Sequence, residues 1–161
     1  GMDGSLDLPD NELKKLDVVI ASIHAPAYLP SSYDEQTNAW LNVIENPNVN
    51  ILGHMGREKI GFDIEKVVKK AKEYGKVVEI NASSFDYSSL YKTNCFKIIS
   101  ECKKVDMPIV VNSDCHICYD VGRFFNSLKL IAEVGYNPNL IINTSLAKTL
   151  DYFNRHKNIN I

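Results

Sequence analysis

Five short apolar runs, rich in valine and isoleucine, recur along the chain at nearly even intervals, and this spacing constrains the fold more than any other feature. The runs cover residues 17–23, 49–53, 76–81, 108–112 and 140–143, so that they begin 27 to 32 positions apart. Apolar and polar residues barely alternate within them, which is typical of strands buried on both faces of a parallel sheet. The intervals match the length of one strand and one crossover helix. The sequence therefore predicts an α/β protein.

Helical patterns fill the intervals between these runs. They cover residues 31–45, 63–74, 88–105, 121–134 and 145–156. The second begins at Asp63, repeats apolar residues at helical spacing and stops before Gly75, a common helix-terminating residue. A closed barrel of strands and helices typically has about eight parallel strands. About five strands therefore predict either an open sheet or the last part of a barrel.

The length and charge of the chain limit its organisation and its partners. Its 161 residues suit a single domain over residues 1–161, with 20 acidic and 18 basic side chains. This balance gives no general attraction to nucleic acid or to anionic lipid. No apolar run approaches the roughly 18 residues that span a bilayer, and no signal peptide is recognisable. Four cysteines do not suggest a disulfide framework here, so we expect a cytoplasmic protein and interpret Gly1 as a residue left by cloning.

Polar side chains able to do chemistry follow each predicted strand. They are His24, His54, Asn81, Asp114 with His116, and Asn143, in strand order. The carboxyl ends of parallel strands line one face, and that face holds the site in such folds. We therefore expect the three histidines and Asp114 to surround one pocket. Imidazole and carboxylate groups bind Zn²⁺, Mn²⁺ or Fe, so the set predicts a metal or catalytic cluster, although each histidine alone is equally well read as structural.

Other polar residues allow two interpretations each. Arg57, in a glycine-flanked loop, suits bidentate binding of a phosphate or simple exposure to solvent. Asn81, Ser83 and Ser84 offer short hydrogen-bonding groups to a pocket, or else form a turn and cap the next helix. Glu79 lies within a predicted strand and points either into the site or outward toward a helix lysine.

The cysteines suggest a second, weaker hypothesis. Cys115 and Cys118 form a C-x-x-C pair beside His116, as in half of a zinc knuckle or a redox pair. Cys95 and Cys102 are seven residues apart, so they share one helix face and lack that spacing. Free cysteine commonly behaves as a small buried hydrophobe. The sequence therefore favours the histidine and aspartate cluster over a cysteine-based site.

Four motifs, taken in order, resemble the PHP (polymerase and histidinol phosphatase) superfamily. They are Ala-Ser-Ile-His24, Leu-Gly-His54-Met-Gly, Val-Glu-Ile-Asn81-Ala-Ser-Ser and Asn-Ser-Asp114-Cys-His116. Within the superfamily, the chain is most similar to the YcdX-like phosphoesterases, from about residue 3 to residue 153. The resemblance implies a TIM-like, distorted (β/α)7 barrel that binds up to three metal ions, often zinc, and hydrolyses phosphate esters.

The resemblance also implies roles for individual residues. His24, His54, Asp114 and His116 match the metal ligands, with Zn²⁺ expected first and Mn²⁺ or Fe as alternatives. The pocket residues, with a role in binding substrate or phosphate, would be Arg57, Asn81, Ser83 and Ser84. The implied partner is a small phosphorylated substrate.

The chain departs from the family at its beginning. The His-x-His motif of the first strand, the histidines after it and a bridging glutamate are absent, so the resemblance implies the C-terminal part of a PHP domain without its N-terminal strands. We therefore expect partial metal occupancy, impaired catalysis and self-association through an exposed barrel edge. The alternatives are a non-catalytic remnant that binds a metal or a partner chain, and a metal hydrolase of the amidohydrolase type.

Overall fold

The computed structural model describes residues 1–24, 28–86 and 88–157, with the backbone alone for residues 156 and 157. The α-helices are α1 (Asp10–Leu13), α2 (Tyr33–Glu45), α3 (Ile64–Glu73), α4 (Ser89–Lys104), α5 (Phe125–Val134) and α6 (Leu146–Lys157). The strands are β1 (Ile20–Ala21), β2 (Ile51–Leu52), β3 (Val77–Asn81) and β4 (Ile109–Asn112). Short 3₁₀ turns cover Met55–Arg57, Ala82–Asp86, Cys118–Asp120, Pro138–Leu140 and Ile142–Thr144.

The four strands form one parallel sheet in the order β1-β2-β3-β4. Strands that follow one another in the sequence are therefore neighbours in the sheet, as in a segment of a β/α barrel and unlike a doubly wound sheet, in which the order reverses. The α/β class is confirmed, and the observed sheet fits part of such a barrel. Within the described residues, no helix is both long and apolar enough to cross a membrane.

The fifth predicted strand is wrong in its extent. Residues 140–143 contribute a single parallel bridge, from Ile141 to Ile109, and 3₁₀ turns lie on both sides of it. The side chain of Asn143, rather than its backbone, makes the next hydrogen bonds to strand β4. Its Oδ1 accepts a hydrogen bond from the Val111 N–H at 3.0 Å, and its Nδ2 donates to the Val111 carbonyl at 2.8 Å.

The two faces of the sheet are buried differently. Alternate strand residues such as Leu52, Val78 and Ile109 join the core formed with α2, α3, α4 and α5. The intervening residues form a second, smaller core with Phe153 of α6. This second face, which α6 covers in part, is called the inner face below. Because side chains alternate along a strand, Glu79 and Asn81 lie on it above Val77, toward the carboxyl ends.

Candidate functional site

Glu79 lies at the centre of the polar cluster on the inner face. Its side chain is buried, and it accepts three hydrogen bonds. Oε2 accepts from the His54 backbone N–H at 2.7 Å and from Asn81 Nδ2 at 3.3 Å, and Oε1 accepts from Asn112 Nδ2 at 2.7 Å. Of the two orientations considered for Glu79, the structure shows the inward one. Glu79 therefore ties the ends of three neighbouring strands together.

His54 and His24 make direct contact at the ends of β2 and β1. Their Nε2 atoms are 2.9 Å apart, and the ring planes are nearly perpendicular at 83°. The close approach of the two loops requires Gly53, because a Cβ there would come within 2.5 Å of the Ser22 hydroxyl. His54 itself adopts a left-handed backbone conformation, with φ of 32°.

The electrostatic surroundings keep His54 neutral. Burial lowers the pKa of His54 below its usual value, and the positive charge of Arg57 and the proximity of His24 lower it further. Its buried Nδ1 has no hydrogen-bond partner among the described residues. A neutral imidazole is the form that binds a metal ion. At neutral pH, His54 therefore has a nitrogen lone pair available for that role.

Arg57 organises the neighbouring strand end. Its Nη2 donates to Asp114 Oδ2 at 2.7 Å and to Asn81 Oδ1 at 3.2 Å, and also to the Ser83 hydroxyl. Its Nε donates to the Ser84 hydroxyl at 3.2 Å. The four residues predicted to bind substrate or phosphate, together with Asp114, thus form one hydrogen-bonded cluster. The exposed-surface interpretation of Arg57 does not hold, because its side chain is only 19% exposed.

Asp114 carries a negative charge in this cluster. Burial alone would raise the pKa of its carboxyl group, but the side chains of Ser83 and Asn81 and the charge of Arg57 outweigh it and lower the pKa. Its backbone is left-handed, with φ of 52°. This turn directs the chain after β4 back toward the site.

His116 lies apart from the other two histidines. It is exposed, and its Nδ1 is 3.0 Å from the Asp114 carbonyl oxygen, so Nδ1–H donates to the backbone. His116 and Asp114 line a cavity of about 610 Å³, together with Ser83 and the aromatic rings of Phe124 and Phe125. A cavity of this size suits a small molecule.

The four predicted metal ligands therefore form two groups, where one pocket was expected. His24 and His54 form the first group, and Asp114 and His116 line the cavity of the second. Within the described ranges, no three His, Cys, Asp or Glu side chains are arranged so that they could hold a metal ion. The physical reason is that other partners already occupy these groups: Arg57 binds the Asp114 carboxylate, and His116 turns back onto a carbonyl.

The histidine pair nevertheless fits part of a metal site. Two nitrogens bound about 2.1 Å from one ion lie about 3.0 Å apart at octahedral angles and about 3.4 Å apart at the tetrahedral angles that zinc prefers, so the 2.9 Å spacing of these Nε2 atoms is close to the octahedral value. The orphaned Nδ1 of His54 is unusual, because metal-bound histidines usually donate this second N–H to a partner. The short Nε2–Nε2 spacing still suits His24 and His54 as two ligands of one ion, whereas Asp114 and His116 do not suit ligands in the arrangement seen here.

Asn112 and Asn143 complete the cluster, and their roles were not apparent from the sequence. Asn112 donates to Glu79, and Asn143 Nδ2 is 3.3 Å from Asn112 Oδ1. Both are polar residues at the end of an apolar run. This position already marks Asn143 in the sequence. It is also the only sequence feature that marks Asn112.

The cysteines divide as their spacing suggested. Cys95 and Cys102 are buried in α4, and burial raises the pKa of the Cys95 thiol to about 12. Burial likewise raises the pKa of Cys102. Cys115 and Cys118 are exposed. Any thiol chemistry of the native protein is therefore confined to the loop beside His116.

Comparison with known proteins relates the chain to phosphatases. No protein-family model matches it. It is 45% identical to a probable phosphatase of Thermoanaerobacter over 157 residues, which are 96% of this chain and 64% of that protein. A probable phosphatase of Clostridium botulinum is 44% identical over 92% of the chain and 61% of its own length. The corresponding protein of Caldanaerobacter subterraneus is 43% identical, over 93% and 60%.

The chain spans somewhat less than two thirds of the length of these relatives, 60 to 64%. Identity at this level over most of the chain is nevertheless far above chance resemblance. The similarity supports a relationship between this chain and a phosphatase family.

Proposed function

We propose that this chain is part of a metal-dependent phosphoesterase of the PHP type, acting on a small phosphorylated substrate. The observation that carries the proposal is the 2.9 Å contact between His24 Nε2 and His54 Nε2, at the carboxyl ends of adjacent parallel strands. The names of the relatives favour phosphate esters as substrates over the amides of amidohydrolase-type enzymes.

The residues of the site have different roles in this proposal. His24 and His54 would hold the cation, and Glu79 fixes His54 through its backbone N–H. When bound, a divalent cation supplies a water of lowered pKa and offsets charge on the phosphoryl oxygens. Arg57 and Ser83 lie beside the cavity and are suited to orient phosphate oxygens, because a guanidinium binds them in a bidentate manner.

The proposal extends to the whole protein that the relatives represent. In it, the part of the relatives that this chain does not match supplies the first strands of a (β/α)7 barrel and further metal ligands. Two imidazoles alone hold a cation less firmly than the three or four ligands of most zinc sites. We therefore expect weak turnover by the present chain, with zinc as the first candidate ion and manganese or iron as alternatives.

Hydrolysis of p-nitrophenyl phosphate tests the proposal. We expect slow turnover that Zn²⁺ or Mn²⁺ stimulates and a chelator abolishes, and a loss of at least about tenfold in H54A, comparable to the loss that disrupting a metal site causes. K66A, which changes an exposed residue of α3, serves as the matched control and should retain full activity. Turnover that is insensitive to the chelator and equal in H54A would contradict the proposal.

A second candidate is a non-catalytic remnant that binds a metal or a partner chain. The absence of any three-ligand group among the described residues favours it. Under this reading, H54A weakens metal binding while neither protein hydrolyses the ester. A parallel assay with a p-nitroanilide substrate distinguishes the amidohydrolase-type alternative, for which only the amide would be cleaved.

A further inference from the structure

The carboxylate of Asp114 already forms an ion pair with a cationic side chain of the same chain, the guanidinium of Arg57. Arg57 Nη2 lies 2.7 Å from Asp114 Oδ2. The same oxygen accepts a hydrogen bond from the Ser83 hydroxyl at 2.9 Å. Two donors therefore occupy the lone pairs of the oxygen that faces the cluster.

The guanidinium of Arg57 is held in place by more than this ion pair. Its Nη2 also donates to Asn81 Oδ1, and its Nε donates to the Ser84 hydroxyl, each at 3.2 Å. The side chains of Arg57 and Asp114 are only 19% and 28% exposed. An ion pair shielded from solvent to this degree is stronger than one on the open surface.

A divalent cation bound to this carboxylate would compete with Arg57 for the same negative charge and would lie beside a group with the same sign of charge. We infer that Arg57 and a divalent cation exclude each other at Asp114, so that Arg57 acts as an internal competitor for this ligand. The inference rests on the proposed function, because it takes Asp114 as a ligand in the metal-loaded protein. It also explains why Asp114 is separated from the histidine pair in the structure.

Exclusion has a consequence for anion binding. Arg57 displaced from Asp114 remains beside the cavity that Ser83 and Asp114 line. A guanidinium there that no longer pairs with Asp114 suits the oxygens of a phosphate. Entry of the cation at Asp114 and exposure of an anion-binding group are thus one event.

Binding of Mn²⁺, measured by electron paramagnetic resonance of the free ion, tests the exclusion. Mn²⁺ is used because thiolates in general bind zinc in preference to manganese, and Cys115 and Cys118 are exposed. We expect R57Q to bind Mn²⁺ roughly 3- to 10-fold more tightly than the wild type, the range expected from removal of a partly buried ion pair. The R57K protein keeps the positive charge but lacks the bidentate hydrogen-bonding geometry of a guanidinium. Its Mn²⁺ affinity should lie between those of the wild type and R57Q.

Two further proteins separate this effect from a general change in charge. R123Q removes an arginine that lines the same cavity and pairs with Asp120, and it should change Mn²⁺ affinity by less than about twofold. In a D114N background, the gain from R57Q should disappear, because Asp114 is then no longer the contested ligand. This comparison also removes any direct effect of Arg57 on the nearby histidine pair.

Several results would overturn the exclusion. These are equal Mn²⁺ affinity in the wild type and R57Q, a gain that persists in the D114N background, a gain of the same size in R123Q, or no Mn²⁺ binding by any variant. Circular dichroism tests whether each variant is folded. If R57Q is not folded, the Mn²⁺ affinity of R57K tests the exclusion instead. Tighter binding in R57Q without any phosphatase activity would reject the proposed function and leave the exclusion intact.

Discussion

Glu79 Oε2 lies 2.7 Å from the backbone nitrogen of His54 and accepts its hydrogen bond. The bond joins the middle of β3 to the first residues after β2, where His54 has a φ of 32°. A left-handed conformation in a residue other than glycine costs about 1–3 kcal/mol, and the surrounding structure must offset that cost. Glu79 therefore provides the contact that holds His54 in the orientation in which it meets His24.

Replacing Glu79 by glutamine should destabilise the fold. Glutamine has one acceptor oxygen and one NH₂ group, so it cannot accept from both the His54 N–H and Asn112 Nδ2. A buried donor left without a partner costs about 1–3 kcal/mol, and we expect E79Q to lose this much free energy of unfolding in urea titrations. E73Q, the same change on the exposed side of α3, should alter stability by less than about 0.5 kcal/mol. Equal stability of E79Q and the wild type would show that the bonds of Glu79 do not constrain His54.

Replacing Glu58 by glutamine should change the pH dependence of stability. Burial raises the pKa of Glu58 to about 7 from 4.5, and the side chain of Gln36 offsets a small part of that rise. Between these two values the folded protein binds more protons than the unfolded chain, so this group makes stability fall as pH rises. E58Q lacks this effect.

The difference between E58Q and the wild type is the quantity to measure. At about pH 8 we expect E58Q to be the more stable by up to about 3 kcal/mol, and at about pH 4 the two should be nearly equal. Comparing the two proteins removes the contribution of His54, whose lowered pKa makes stability rise with pH. A difference that does not vary with pH would show that Glu58 titrates normally.

The four thiols should react in two classes. At about pH 8, Ellman's reagent should label Cys115 and Cys118 at once, because both are exposed. Cys95 and Cys102 should react only on unfolding, since burial both shields them and raises the pKa of each thiol. Four rapidly reacting thiols in the native protein would contradict the burial of α4 against the sheet.

The exposed edge of the sheet leads to a prediction of self-association. Strand β1 is the terminal strand of the sheet in the described part of the chain, and its Ile20 side chain is 48% exposed. Unpaired strand edges with apolar side chains favour association. Sedimentation velocity over about a hundredfold range of concentration should show dimers that I20K weakens. F96K, on the exposed side of α4, is the matched control, and a monomer at every concentration would contradict the prediction.

The regular spacing of the apolar runs allowed the fold class to be predicted from the sequence. The valine and isoleucine runs identified β2, β3 and β4, and side-chain caps marked the starts of α2, α3 and α4. The fifth run failed because Asn143 bonds through its side chain to Val111, a contact between residues far apart that no local pattern encodes. Helix α5 begins at Phe125, four residues later than predicted, since Gly122, with a φ of 82°, lies in the turn before it.

The sequence predicted where the candidate site lies better than it predicted which side chains in the site bond to one another. Strand ends pointed to the region in which His54 and Asn81 lie, but the sequence left open the direction of Glu79 and the exposure of Arg57. Which carboxylate pairs with which cation depends on side-chain directions and distances across three strands, and spacing in the sequence does not carry that information. The prediction that His24, His54, Asp114 and His116 bind metal stays a prediction, and the structure adds Arg57 as a partner that the sequence did not assign to Asp114.

Metal binding by the histidine pair is the most direct test of the central claim. Mn²⁺ affinity is compared in the wild type, H24A, H54A and the double variant. Under the proposed function the two imidazoles share one ion, so either single change should weaken binding at least about tenfold, and the double change should add little to that loss. H116A should leave this affinity within about twofold, since His116 lies apart from the pair. Affinity that is unchanged in both H24A and H54A would contradict the account.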